Sequence, residues 1–180
     1  CALPISPVTN YNFVSADGLW KLNLTKDFIA LSTLGYHCWE DFAQRLDKPL
    51  ASFIQLYQPA FFERIGLRYV NAVSRRALGL EDVPWVSLIQ PAFLGVLAEL
   101  DVDEQAASRS SVDAHLALPE GQRLKLHAGP GLLGGGKKDP EIKFILDGDF
   151  SVAGSLSADR VPAVLEGRHG HAVRLFRGAV

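Results

Sequence analysis

The chain contains no methionine, only two cysteines, no long apolar run and almost no net charge, and each shortage narrows what it can be. The cysteines are Cys1 and Cys38, one of them at the extreme terminus, which excludes a disulfide framework and favours a reducing compartment. A cytoplasmic location is therefore expected. Cys1 as the lipidated first residue of a lipoprotein competes with a plainer reading: without methionine or a visible signal segment, the chain is a trimmed piece. The far end reads alike, since Arg168–Val180 forms a helical pattern with Val173, Phe176 and Val180 on one stripe and stops without a cap or polar tail. A fragment of a longer chain, cut at both ends, is expected.

No apolar run approaches the ~20 residues that span a bilayer. The longest, Val86–Leu100 and Phe28–Leu34, are broken by Pro91, Gly95 or polar residues, so no membrane partner is expected. A net charge of −2 and a pI near 6.2 give no general attraction for nucleic acid or anionic lipid. Either partner would need a local basic patch.

What is present is ordinary globular material: 180 residues, 48% hydrophobic and 21% charged, with mean hydropathy +0.10. Such a chain buries roughly 70% of the surface its unfolded form exposes. Residues 9–33 predict three short strands, because Tyr11 and Phe13, then Trp20, Leu22 and Leu24, alternate with polar neighbours. Asp17-Gly18 is a hairpin signal, and Lys26-Asp27 turns the chain into Phe28–Thr33. Phe42, Leu46, Leu50, Phe53, Ile54 and Tyr57 then fall on a helical stripe, with Glu40 and Asp41 in the first turn, where the helix dipole favours negative charge. Pro49 is expected to kink or interrupt this helix, and Gln58-Pro59 to end it.

Alternation returns over Glu63–Val73, with Ile65, Leu67, Tyr69 and Val73 on one face and Arg64, Gly66 and Arg68 on the other. Short helices are predicted from Pro84 and over Pro91–Leu100. Ser111–Leu118 alternates again and turns at Pro119-Glu120-Gly121; a three-residue loop sets Asp113 opposite His127 and His115 opposite Lys125. Ile142–Ser151 reads as a further strand, and Ser157 or Asp159 can cap the closing helical region. The class is α+β, with mainly antiparallel sheet, helices on one face and an approximate βββα-β-α-βββα order. A single domain is expected, composed of two similar halves, about 9–74 and 106–180, if the repeated order is a true duplication; no residue-level repeat accompanies it.

The run from Tyr11 to Thr33, the Trp39-Glu-Asp-Phe42 tetrad and the stretch from Gln58 to Asn71 resemble a sporadically distributed bacterial family of uncharacterised proteins. The resemblance covers most of the chain. Its first half is the specific part, and Phe144–Phe150 and a helical segment around His171–Phe176 carry the rest. It implies further sequence at both ends and brings no activity, cofactor or catalytic residue.

Several constellations offer chemistry. Gly131-Leu-Leu-Gly-Gly-Gly-Lys137-Lys138 matches the first seven positions of a phosphate-binding loop, but Lys138 stands where that motif needs a hydroxyl, and the next residues carry a strand pattern instead of a helical one. A glycine-rich hairpin loop with a weak binding role for Lys137 and Lys138 is the competing reading. His37, Cys38, Glu40 and Asp41 cluster without a second ligand pair at metal-binding spacing. Asp113 and His127 supply two-thirds of a triad, with no nucleophile in an elbow context. His169 and His171 diverge if they lie on a helix. No metal site and no cofactor are read from these groups, and an enzymatic role is left open, with the balance against it.

The arginines are the best candidates. Arg64 and Arg68 share a sheet face, with Gly66 between them leaving the backbone open to close approach, and Arg75 and Arg76 come at the strand's end. Guanidinium forks at this spacing can grip a phosphate or carboxylate bidentately. Alternatively they form a solvated face or pair with acids such as Glu63 or Asp82. The leading expectation is a non-catalytic binding or interaction module whose partner is another protein, with Arg64 and Arg68 as the first contact residues to test. The alternative is a phosphate-handling enzyme or nucleic-acid-associated protein using Arg64 and Arg68.

Overall fold

Alternation and turn chemistry build the first sheet as expected. The computed structural model describes residues 9–99, 103–107, 109–133 and 139–180. The chain divides into two compact units, residues 1–60 and 61–180. In the first unit, β1 (Tyr11–Val14), β2 (Trp20–Leu24) and β3 (Ile29–Thr33) form an antiparallel sheet in sequence order. Gly18 takes φ +72° in the first turn, the left-handed conformation for which glycine is suited. Asp17 accepts from the Leu19 N–H at 2.9 Å and closes that turn. The register pairs Tyr11 with Leu24, Phe13 with Leu22 and Leu22 with Leu31, so one face of the sheet is apolar except for Thr33 at its end.

Helix α1 (Trp39–Tyr57) comes next, and Trp20 meets Phe42 with ring centroids 5.9 Å apart. The helix runs through Pro49 without the interruption that was one of the two expected outcomes there. The missing N–H there removes one hydrogen bond, and because Arg45, whose carbonyl loses its donor, is exposed, water can replace it. Gln58 ends the helix in the left-handed region, at φ 45°, its N–H bonded to the Ile54 carbonyl at 2.9 Å.

The second unit is a four-stranded antiparallel sheet in the order β4-β7-β6-β5, made of β4 (Phe62–Val73), β5 (Val112–Leu118), β6 (Gln122–Leu132) and β7 (Ile142–Leu156). The hairpin register is the one its loop length predicts, Asp113 opposite His127 and His115 opposite Lys125. Pairing of β4 with β7 unites strands that sequence order places in the two proposed halves.

The inner face carries Leu124, Leu126, Ala128, Phe144, Leu146 and Phe150, all buried, and α5 (Val161–Arg177) packs against β4 and β7. Each large apolar side chain so buried contributes about 1.5–3 kcal/mol relative to exposure. Trp85, in a single turn of 3₁₀ helix, and Leu94, in the short α3 (Pro91–Leu94), complete the core. Two further short helices, α2 (Arg75–Leu78) and α4 (Val96–Glu99), lie between β4 and β5, and Gly95 at φ +58° separates α3 from α4.

The closing helix departs from its expected form. It begins at Val161, because Pro162 in the first turn lacks only a hydrogen bond that no helix makes there. Its buried stripe is Val161, Val164, Leu165, Arg168 and Ala172, whereas Val180 is exposed. Neither Ser157 nor Asp159 caps it through a side chain; Ser157 precedes a 3₁₀ turn instead. Among the described residues no helix is long and apolar enough to cross a membrane.

Candidate functional site

The outer face of the four-stranded sheet holds the two leading arginines. Because side chains alternate along a strand, β4 turns Arg64 and Arg68 outward, and β7 turns Asp147 and Asp149 to the same side. Arg64 Nη2 donates to both oxygens of Asp149 at 2.8 Å. Arg68 Nε donates to Asp147 Oδ1 at 2.7 Å, and its Nη2 meets Oδ2 in a second parallel bond. The bidentate grip expected of these forks is thus made by Arg68 on a carboxylate of the neighbouring strand, and Arg64 holds the other carboxylate through one nitrogen. Those carboxylates are Asp147 and Asp149; Glu63 and Asp82, the partners suggested by sequence, are not used. Asp147 raises the affinity of Arg68 for its proton, chiefly through that hydrogen bond.

Gly66 has a specific part in this arrangement. A Cβ on it would lie 2.9 Å from both terminal nitrogens of Arg64, so the guanidinium lies across the bare backbone on its way to Asp149. The close approach that the glycine permits is taken by the protein's own arginine.

Arg75 and Arg76 are engaged elsewhere. Arg75 stacks on the Trp85 ring at 4.3 Å and donates to the Val83 carbonyl at 2.9 Å and to Glu104 at 2.5 Å. Glu104 in turn accepts from the Trp85 N–H at 2.7 Å, so the four residues tie β4's end to the segment after it. The Arg76 N–H is held by Glu141 at 3.0 Å, and its guanidinium lies 3.8 Å from Asp139. From Arg68 to Arg75 the chain rises roughly 20 Å, so the four arginines form two separate groups.

Around α2, Ser74 caps the helix by accepting from the Ala77 N–H at 3.0 Å and donates to Glu141 at 2.8 and 2.7 Å. The N–H of Arg76, then the Ser74 hydroxyl, hold the Glu141 carboxyl below its ordinary range. Lys143 donates to Asp139 and does the same there, while its own proton is held more tightly. Lys137 and Lys138 lie outside the described residues, as does Cys1. The next element after their loop is β7, a strand, where a phosphate-binding loop requires a helix.

Asp113 and His127 do meet, at 2.7 Å, but Ser111 also donates to Asp113, at 2.9 Å. The order is Ser–Asp–His with the carboxylate in the middle, which leaves no base on the hydroxyl, and both members of the cross-strand pair are well exposed to solvent. The His127 and Ser111 hydrogen bonds lower the Asp113 pKa. Asp41 pairs with Arg45 at 3.1 Å, and Cys38 is a free, exposed thiol. Among the described residues no three His, Cys, Asp or Glu side chains gather in a way that would hold a metal ion.

The two histidines of α5 diverge: His169 Nδ1 lies 3.0 Å from the Tyr69 hydroxyl, and His171 turns toward Phe150. Sequence reasoning passed over Arg168 beside them. It sits in the buried stripe at the spacing of an apolar residue, which is the signal that reveals it.

The apolar face of the three-stranded sheet is the remaining candidate. Tyr11 and Phe13 on β1 are each 56% exposed. Among the described residues of that unit, Trp39 is the one buried apolar side chain. No family model, no curated protein and no solved structure matches this chain.

Proposed function

We propose that the chain is a non-catalytic interaction module whose partner is another protein, bound on the apolar face that Tyr11, Phe13, Leu22 and Leu24 share. The observation that carries this is the exposure of Tyr11 and Phe13 beside half-buried Leu22 and Leu24, where β1 and β2 pair apolar residue with apolar residue beyond the Trp20–Phe42 contact with α1. Exposed aromatic side chains on a continuous apolar surface are the usual mark of a protein contact. A bacterial cytoplasmic setting and membership of the family resembled above belong to the same proposal.

The alternative, phosphate or nucleic-acid handling by Arg64 and Arg68, requires both forks to leave Asp149 and Asp147. Each departure gives up a hydrogen-bonded ion pair made within the sheet, in which the arginine side chains are 54% and 61% exposed and the carboxylates 27% and 20%.

The test is native mass spectrometry of the protein purified gently from its host, with and without nuclease. A Tyr11→Ser/Phe13→Ser variant is expected to lose the co-purifying protein while its circular dichroism is retained. An Arg64→Ala/Arg68→Ala variant is expected to keep it. The reverse pattern, with a nuclease-sensitive mass and steep salt dependence, would transfer the function to the arginines.

A further inference from the structure

Among the described residues, four strands stand at the edges of the two sheets: β1, β3, β4 and β5. An edge strand presents a row of unpaired N–H and C=O groups, and proteins guard such edges by shortness, charge, proline or a bulge. β1 and β3 are short, four and five residues long. β4 carries Glu63, Arg64 and Arg68, and its register with β7 shifts between Phe62 and Arg64. β5 has none of these guards. It runs for seven residues, Val-Asp-Ala-His-Leu-Ala-Leu, in unbroken register with β6, without lysine, arginine or proline.

Its inner face is open as well. Leu124 on β6 is 5% exposed, whereas Leu116, directly opposite it on β5, is 48% exposed. The apolar layer of the sheet therefore continues beyond its covered part onto the last strand, where Val112, Ala114 and Leu118 are half-buried. Helix α5 packs on β4 and β7, which lie three and two strands away.

We propose that the β5 edge is the contact between two copies of this chain, joined antiparallel about a two-fold axis normal to the sheet. Such an axis keeps both inner faces on one side and brings the strand against itself. Directly opposite residues share a face, so one residue of β5 lies on the axis. Charge selects which one. An axis through Asp113 opposes carboxylate to carboxylate, and an axis through His115 opposes imidazole to imidazole. An axis through Leu116 opposes Asp113 to Pro119, beyond the strand's end. An axis through Ala114 sets the Asp113 carboxylate of each copy against the His115 imidazole of the other, twice by symmetry. The same register pairs Val112 with Leu116 on the inner face and places the small Ala114 against itself. Asp113 has room for the contact: its side chain is 62% exposed, and a carboxylate that accepts from Ser111 and His127 keeps lone pairs for a further donor.

The experiment is sedimentation velocity with native mass spectrometry on the whole chain, from micromolar to millimolar concentration. A concentration-dependent rise from 19.6 kDa toward twice that mass is expected. Leu116→Lys adds an edge-guarding charge at an exposed position, and should keep its circular dichroism while remaining a monomer. His115→Glu opposes like charges at two symmetry-related places and should weaken association by about tenfold. Adding Asp113→Lys to that variant restores opposite pairs and should recover association. In a Cys1→Ser/Cys38→Ser background, Ala114→Cys should form an intermolecular disulfide under mild oxidation, because directly opposite residues bring their Cα atoms to about 4.5–5.5 Å. Ala117→Cys, which faces Ser111 in this register, should not. A wild-type chain that stays monomeric at millimolar concentration overturns the proposal. So does a dimer that the folded Leu116→Lys variant still forms, or one that Tyr11→Ser/Phe13→Ser abolishes instead.

Discussion

The same substitution at two glycines of the four-stranded sheet should have opposite consequences. At Gly129 in β6, an added Cβ would lie 2.4 Å from the Ser110 carbonyl oxygen and 3.0 Å from Ser111 Cα. Both obstacles are backbone, and they lead into β5, whose Val112 pairs with Ala128. Ordinary contact distance would require the two strands to separate by close to an ångström, an overpacking strain of about 1–3 kcal/mol. At Gly66, by contrast, the nearest atoms are the tip of Arg64, at 2.9 to 3.0 Å, which can swing away. That movement gives up the Arg64–Asp149 pair, about 0–1 kcal/mol for so exposed an arginine. The loss of glycine's freedom in the unfolded chain returns about 0.4–1 kcal/mol. Gly66→Ala should therefore lie within about 0.5 kcal/mol of the parent, and Gly129→Ala well below it, lower in melting temperature by about 2–4 °C for each kcal/mol. Urea unfolding followed by circular dichroism measures both. Equal stabilities for the two variants would refute the packing argument, as would a Gly66→Ala loss above about 2 kcal/mol.

The geometry carries other expected outcomes. Arg75→Lys should lose the Trp85 stack and the paired bonds to Val83 and Glu104, costing about 1.5–3 kcal/mol in urea unfolding; a change under about 0.5 kcal/mol would show the clasp to be idle. Asp139 and Glu141 bind their protons less tightly when folded, so the unfolded chain takes up more protons as acidity rises. The stability they supply is complete above the ordinary carboxylate range and is lost as pH falls through and below about 4. Glu141→Gln should flatten that slope in urea midpoints measured from pH 3 to 7, and an unaltered slope would remove Glu141 from the account. Asp149→Asn should weaken folding by about 0–1 kcal/mol in low salt, an effect that fades at 1 M salt, where the screening length falls to about 3 Å. Persistence of the effect at high salt would mean that the pair is shielded from solvent after all.

Much of the local structure was legible because period-two alternation and turn residues act over a few neighbours. Asp17-Gly18 located the first hairpin, and the loop at Pro119–Gly121 set the register that opposes Asp113 to His127. Strand order was not legible in the same way, since nothing near β4 announces that it will lie beside β7. The partners of Arg64 and Arg68 were hidden for that reason, 85 and 79 residues away in the chain. That Pro49 does not interrupt α1 was not legible, because a proline's cost depends on whether the freed carbonyl meets solvent, which is a property of the packed helix. The caps suggested at Ser157 and Asp159 came within a few residues of the start of α5, and Pro162 sits in a first turn that makes no use of its missing N–H. Arg168 was overlooked because its place in the apolar stripe shows only when that stripe is followed from Val161 through Ala172.

The outer face of the four-stranded sheet is also an electrical object. Its strands carry alternating stripes: Arg64 and Arg68 on β4, Asp147 and Asp149 on β7, Arg123 and Lys125 on β6, and Asp113 on β5. Adjacent stripes lie about 4.8 Å apart, so their fields cancel over roughly one such spacing above the surface. A passing polyanion would neither be drawn in nor turned away by this face. A partner already in contact would meet a pattern of sign that only a matching stripe can satisfy, which makes the face poor at attraction and strict at recognition.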